Sequence, residues 1–341
     1  MRHLVYVEPG KVEWQEVVDP APPPGGVVVA PLAVARCDLD SSMAAFGLFP
    51  GPFPVGHEAV GEVVATAPDV ARWAPGDRVV VPFQVSCGSC APCQQHRFAA
   101  CVPHKAKAGA AFGFGPAGGD HGGAMADLLA VPAADHLLVA APDLPVEVLC
   151  TLADNVLDGY RAVAPALAAR PGADVLVVGG LAPSVGLYAA ASALALGAGS
   201  VRYADTDAER CQAAASLGAE PVAVEGAWPR RFDRAAITVD NTGDADGLAC
   251  ALRSTDDYGT CTSVAIYFDP GTTLPLLEMY TRGVTFHTSR ADARALLPEV
   301  LDLVGAGRLD PTVVPTTVLP WDQAADAWLT PATKLVFTRA G

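Results

Sequence analysis

At 341 residues the chain is too long for one ordinary core, and two domains are expected. Lys and Arg number 22 against 37 Asp and Glu, a formal net charge of −15 that repels a phosphate backbone and argues against nucleic acid as a partner. Hydrophobic residues make up 51% and charged residues 17%, the composition of large buried cores rather than disorder, and no run reaches the ~18 unbroken apolar residues of a membrane span.

Met1-Arg2-His3 leads straight into a strand-like run at 4–7, which leaves no room for a signal peptide and points to a cytoplasmic protein. Up to about residue 150, short β-type runs such as 26–29 and 77–81 alternate with Pro/Gly turns, as in an all-β domain. Four of the nine cysteines, Cys87, Cys90, Cys93 and Cys101, fall in one fifteen-residue window with the spacing C-x2-C-x2-C-x7-C. Two-residue gaps let thiolates converge on one ion, and four sulfur ligands close a tetrahedral zinc site with no open position. A structural zinc is therefore expected. A disulfide framework would spread its pairs through a short secreted chain, and an iron–sulfur cluster usually takes another spacing.

From Asp174 onward the pattern becomes strand, glycine-containing turn, Ala/Leu helix, strand. Residues 175–178 form a continuous apolar run suited to a parallel sheet buried on both faces, 187–196 a helix and 200–204 the next strand, a βαβ unit. Further strands are expected at 235–239, 261–266 and 334–337, and an amphipathic helix at 296–304. Counted back from Gly186, the Gly-x-Gly-x-x-Gly fingerprint falls on Leu181, Pro183 and Gly186, so only its last glycine is in place. The context still points to a dinucleotide site at Ser184, Val185 and Gly186. Asp205, nineteen residues beyond Gly186, closes the second strand, where a carboxylate accepts the ribose hydroxyls and repels a 2′-phosphate. No Lys or Arg follows until Arg210, so NAD is expected rather than NADP.

Upstream, Cys37 is followed by Gly56-His57-Glu58-Ala-Val-Gly61-Glu62-Val-Val. His57 alone would read as a buried core histidine. Together with Cys37, the cysteine lobe and the dinucleotide half, the array resembles the zinc-containing medium-chain dehydrogenases over nearly the full chain. That resemblance implies an α/β two-domain fold. A GroES-like β-barrel would take 1–154, completed by 291–341, and a doubly wound Rossmann sheet 155–290. It implies a catalytic zinc on Cys37, His57 and a third ligand six residues before Tyr160, which is Asp154; Cys150 is the rival four residues earlier. Glu58 would stand beside the metal. Thr242, Val264 and Ile266 resemble segments bordering the nicotinamide, and Arg290 the arginine that meets the pyrophosphate. One departure stands out: Leu39 holds the place usually given to a proton-relaying Ser or Thr, and Ser42 that of a relay histidine. Asp40, Ser41 or a water would have to take over, or the reaction does without.

The function implied is zinc-dependent hydride transfer between NAD(H) and a small alcohol or carbonyl, by a homodimer or homotetramer. A zinc-containing reductase of an activated C=C or C=N bond is the alternative within the fold, and a catalytically silent nucleotide-binding protein the alternative outside enzymes.

Overall fold

The computed structural model describes residues 1–339 apart from 108 and 270. In chain order the strands of the first part are β1 (Arg2–Glu8), β2 (Lys11–Glu16), β3 (Val27–Arg36), β4 (Phe53–Pro54), β5 (Glu58–Thr66), β6 (Arg78–Val81), β7 (Leu129–Val131) and β8 (Val139–Ala140). Helix α1 (Asp38–Phe46) follows β3 directly. Helix α2 (Asn155–Ala169) opens the second part, where β9 (Val175–Val178), α3 (Pro183–Ala195), β10 (Val201–Asp205), α4 (Ala208–Leu217), β11 (Glu220–Ala223), β12 (Ala235–Asp240), α5 (Ala245–Ser254), β13 (Thr255–Ser263), α6 (Leu276–Arg282) and β14 (Thr285–Thr288) alternate. The chain ends with α7 (Ala293–Gly305), β15 (Thr316–Pro320) and β16 (Lys334–Thr338). Among the described residues no helix is long and apolar enough to cross a membrane.

The chain divides into two compact units, one of Met1–Leu157, Ala291–Gly305 and Thr316–Gly341, the other of Asp158–Arg290 and Ala306–Pro315. In the first, a mixed sheet runs β15-β16-β3-β5-β6-β8, with β7 also on β3, beside a smaller sheet β2-β1-β4. Most of β3 is buried, as its Val/Ala content requires. Pro31, which has no N–H to give, coincides with a register shift against β5. The second unit is a six-stranded parallel sheet in the order β11-β10-β9-β12-β13-β14. Every residue of β9 is buried, which explains its unbroken apolar run. The strand order reverses between β9 and β12, so the carboxyl ends of those parallel strands form the switch point where such sheets bind ligands.

Two local readings are corrected. The strand expected at 261–266 is β13, which begins at Thr255 and stops at Ser263. Asp256-Asp257-Tyr258-Gly259 has the composition of a turn, yet it forms a bulge against β12, with Tyr258 at φ 56°. Helix α3 starts four residues ahead of 187, because Pro183 sits in its first turn, where a missing N–H costs nothing.

Candidate functional site

The register Ala35↔Glu58 between β3 and β5 sets the end of one strand beside the start of the other. Cys37, N-cap of α1, thereby comes to face His57, which follows Gly56. Gly56 has φ 96°, and a Cβ there would fall 2.7 Å from the Met125 amide, so only glycine lets the chain turn into β5 at this point. Asp154 ends the short 3-10 turn Cys150–Ala153, which packs on β3, β5 and β6. Ligand atoms of Cys37, His57, Glu58 and Asp154 all lie within 4.8 Å of one another.

His57 is fully buried between Phe83 and Phe114, with ring centroids 5.7 and 5.0 Å away. Its Nε2 lies 3.3 Å from Asp154 Oδ2, and its Nδ1 3.5 Å from Asp40 Oδ1. Asp40 is itself fully buried, and its other oxygen accepts from the Cys37 amide at 3.2 Å. If Nδ1 carries the proton toward Asp40, Nε2 turns a lone pair to the Asp154 carboxylate, an arrangement that calls for a cation between them. Burial opposes protonation of His57, but Asp40 and Asp154 together push it up to about 9, while burial and then the surrounding carboxylates raise the Cys37 thiol. Glu58 has a partner of its own: Lys334 Nζ donates to both its oxygens at 2.7 and 2.8 Å, and both side chains are fully buried. With that pair neutral, Cys37 and Asp154 supply the two negative charges that balance a divalent ion beside a neutral His57, so the donor set fits zinc.

Cys150 stays outside the cluster. Its Sγ turns to the Glu147 carbonyl at 3.5 Å, and burial pushes its thiol up. The sulfur thus behaves as a small core group.

The cysteine lobe is compact. Sulfurs of Cys90 and Cys93 are 3.4 Å apart and those of Cys90 and Cys101 4.0 Å, close to the ~3.8 Å edge of a tetrahedron with 2.3 Å Zn–S bonds. Backbone amides of Cys90 and Cys87 point at Cys87 and Cys101 sulfur at 3.4 and 3.3 Å, as thiolates require.

In the second unit, β9 ends at Val178 and Gly179 and Gly180 follow at once. A Cβ on Gly179 would collide with Asp205 and Tyr203, and Gly180 sits at φ 153° against Thr242. Both glycines are therefore places of close backbone approach, while Leu181 and Pro183 hold the positions at which the fingerprint spacing counts its two earlier glycines. The turn is two residues longer than the fingerprint, since Gly179 and Gly186 are seven apart rather than five. Asn241 pins the extra length by donating to the Ala182 carbonyl at 2.5 Å and accepting the Leu181 amide at 2.9 Å. Ser184 and Val185 open α3, buried. Thr242 is buried and donates to Asp240 at 2.7 Å, Val264 is buried, and Ile266 and Arg290 are exposed.

Residues 23–143 match the family of alcohol dehydrogenase GroES-like domains. The whole chain is similar to a probable zinc-binding alcohol dehydrogenase of Mycobacterium tuberculosis, 35% identical over 97% of this chain and 85% of that one. The chain belongs to the zinc-type medium-chain alcohol dehydrogenase family. This dehydrogenase is also similar to a glutathione-independent formaldehyde dehydrogenase of Pseudomonas aeruginosa, 35% identical over 64% of this chain and 57% of that one. Among solved structures, alcohol dehydrogenase TADH from Thermus sp. ATN1 matches with a TM-score of 0.91 and 28% identity, each chain covered completely. The fold is thus a GroES-like domain with a Rossmann-type parallel sheet, and the protein is an oxidoreductase.

Two groups of the dehydrogenase's buried cluster went unassigned in the sequence. Asp40 was weighed only as a proton relay, although its place three residues after Cys37, at N3 of α1, is a signal for a carboxylate facing the histidine. Lys334 opens an otherwise apolar strand, and a charge in such a run is the available sign of a buried partner.

Proposed function

We propose that this dehydrogenase moves a hydride between NAD(H) and a small alcohol or its carbonyl partner, with one zinc on Cys37, His57 and Asp154 and another on Cys87, Cys90, Cys93 and Cys101. The observation that carries this reading is the buried convergence of a thiol, an imidazole and a carboxylate within 4.8 Å. Bound there, zinc would polarise the substrate oxygen and lower the pKa of an alcohol. The chain's own part is positional. Asp40 sets its carboxylate 3.5 Å from Nδ1 of His57, on the far side of the ring from Asp154, Lys334 holds Glu58, and Phe83 and Phe114 flank the ring. For the dinucleotide, the glycines at 179, 180 and 186 and the first turn of α3 offer the phosphate site, and Asp205 supports NAD over NADP.

Leu39 keeps the second reading in play, because it has no hydroxyl to pass a proton, and Ser41 turns its own hydroxyl to the Asp38 carbonyl at 3.4 Å. A reductase of an activated C=C or C=N bond depends less on that relay. A turnover panel of simple alcohols, formaldehyde and conjugated acceptors, run with NAD(H) on zinc-replete protein, separates the readings. Oxidation of simple alcohols is expected. Activity confined to conjugated acceptors selects the reductase, and nucleotide binding without turnover selects the silent protein.

Elemental analysis should return close to two zinc ions per chain, one for each ligand group. Cys93→Ser should return one and lower the unfolding midpoint, since a closed four-cysteine site contributes directly to folding. Loss of both ions would show that the groups are not independent. A homodimer or homotetramer is supported by the exposed Leu276, Leu277 and Tyr280 of α6 and by the edge strand β14, and sedimentation would measure it.

A further inference from the structure

An acid closes β12. Asp240 follows the mostly apolar run 235–239 at the carboxyl edge of the parallel sheet, and it is fully buried. A carboxylate in such a place needs hydrogen bonds on both oxygens. Oδ1 accepts the Thr242 amide at 3.2 Å and the Thr242 hydroxyl at 2.7 Å. Oδ2 accepts the Ser263 hydroxyl at 2.6 Å and the Tyr267 hydroxyl at 2.8 Å. Burial raises the Asp240 carboxyl, and the three hydroxyls draw it back.

Ser263 is the last residue of β13 and lies opposite Asp240 in register, so its bond joins two neighbouring strands. Tyr267 is different, because it lies four residues beyond β13 in a segment without regular structure. That segment is attached to Asp240 at both ends. The Val264 amide donates to the Asp240 carbonyl at 2.9 Å, and the Tyr267 hydroxyl donates to its carboxylate. Val264 is buried and Tyr267 half-buried, while Ile266 between them is 46% exposed. Residues 264–267 thus form a short arch on the carboxyl edge of β12 and β13, tied down at each end by one residue.

The place of the arch gives it a part to play. The turn after β9 belongs to the first half of the sheet, which in doubly wound folds takes the adenosine nucleotide. The other nucleotide falls to the half built from β12, β13 and β14, where the arch stands. Thr242 joins the two regions, since it donates to Asp240 and its Cα would lie 2.8 Å from a Cβ on Gly180.

We propose that Tyr267 is a positioning residue for the nicotinamide half of the dinucleotide, its hydroxyl on Asp240 fixing the arch against which that half is bound. The proposal rests on the dinucleotide reading above and deepens it. The ring of Tyr267 packs on the core that includes Leu176, Val178 and Cys261, so removing the oxygen alone leaves that packing in place.

The test is calorimetric titration of zinc-replete protein with NADH and with ADP-ribose, which lacks the nicotinamide. Tyr267→Phe should weaken NADH about tenfold and leave ADP-ribose within about twofold, since the bond lost is charge-assisted but ties down only the arch. Ser263→Ala is the control. It takes the other hydroxyl from the same carboxylate oxygen without touching the tyrosine, and should lower the unfolding midpoint while keeping the ratio of the two affinities. Equal weakening of both ligands in Tyr267→Phe would make the tyrosine a brace of the whole site, and unchanged NADH binding would make its hydroxyl idle. Either result overturns the proposal and leaves the dinucleotide site intact. An NADH-selective loss of the same size in Ser263→Ala would assign the effect to the carboxylate rather than the arch, and overturns it too. Should the wild type bind neither ligand, the dinucleotide reading itself fails, and this proposal with it.

Discussion

Asp154→Ala should remove the zinc of the buried cluster and lower kcat/KM at least ~100-fold, while the cysteine lobe keeps its ion. The argument is geometric. Three donors must converge to hold a catalytic ion, and the carboxylate of Asp154 is within reach of Cys37 and His57 whereas the sulfur of Cys150 points at the Glu147 carbonyl. Removing Asp154 also leaves His57 Nε2 without its 3.3 Å neighbour, so the remaining thiol and imidazole form an incomplete pair of ligands. Cys150→Ala is the control. It deletes one buried sulfur from the core and should cost no more than about 1–2 kcal/mol, with both ions retained. Metal analysis and activity on the two variants decide the matter together. A one-zinc Cys150→Ala protein beside a two-zinc Asp154→Ala protein would return the third ligand to the cysteine.

Some of this site is visible in the sequence for a physical reason and some is hidden for one. The cysteine lobe is local: its four sulfurs converge because the chain between them is short, so spacing alone predicts the cluster. The approach of Cys37 to His57 depends on the pairing of β3 with β5, which spacing does not state, and there the family resemblance supplied what periodicity could not. In the Rossmann half the long apolar run of β9 and the helix after it are plain. The glycines at 179 and 180 lie two residues too far from Gly186 for the fingerprint spacing, and the segment between is held by Asn241, just after β12 and more than fifty positions away, which no local count shows. The pairing of Asp205 with Arg210, whose guanidinium donates to both carboxylate oxygens at 2.7 and 2.8 Å, is hidden in another way. Arg210 was noted as the first basic residue downstream, but one turn of α4 folds it back onto the strand end it follows.

Lys334→Met should be the most destabilising single substitution around the cluster, and pairing it with Glu58→Gln should recover much of the loss. The two side chains are joined across 276 residues of chain, from the start of β5 to the start of β16, and neither is exposed. Burial pushes the Glu58 carboxyl upward, and Lys334 is the main influence drawing it back. Deleting the lysine strands a carboxyl group among Cys37, His57 and Asp154, for which a loss of about 3–5 kcal/mol is expected. Replacing both partners removes the buried charges together and leaves neutral groups of similar bulk, which in buried pairs is often nearly neutral. Urea unfolding of zinc-replete wild type, both single variants and the double variant completes the cycle. A coupling close to zero, or a double variant as unstable as Lys334→Met, would show that the pair does not brace the metal pocket. The same four proteins should separate stability from chemistry: if Lys334 serves only to hold Glu58, the double variant keeps its cluster zinc, because Cys37, His57 and Asp154 are all retained.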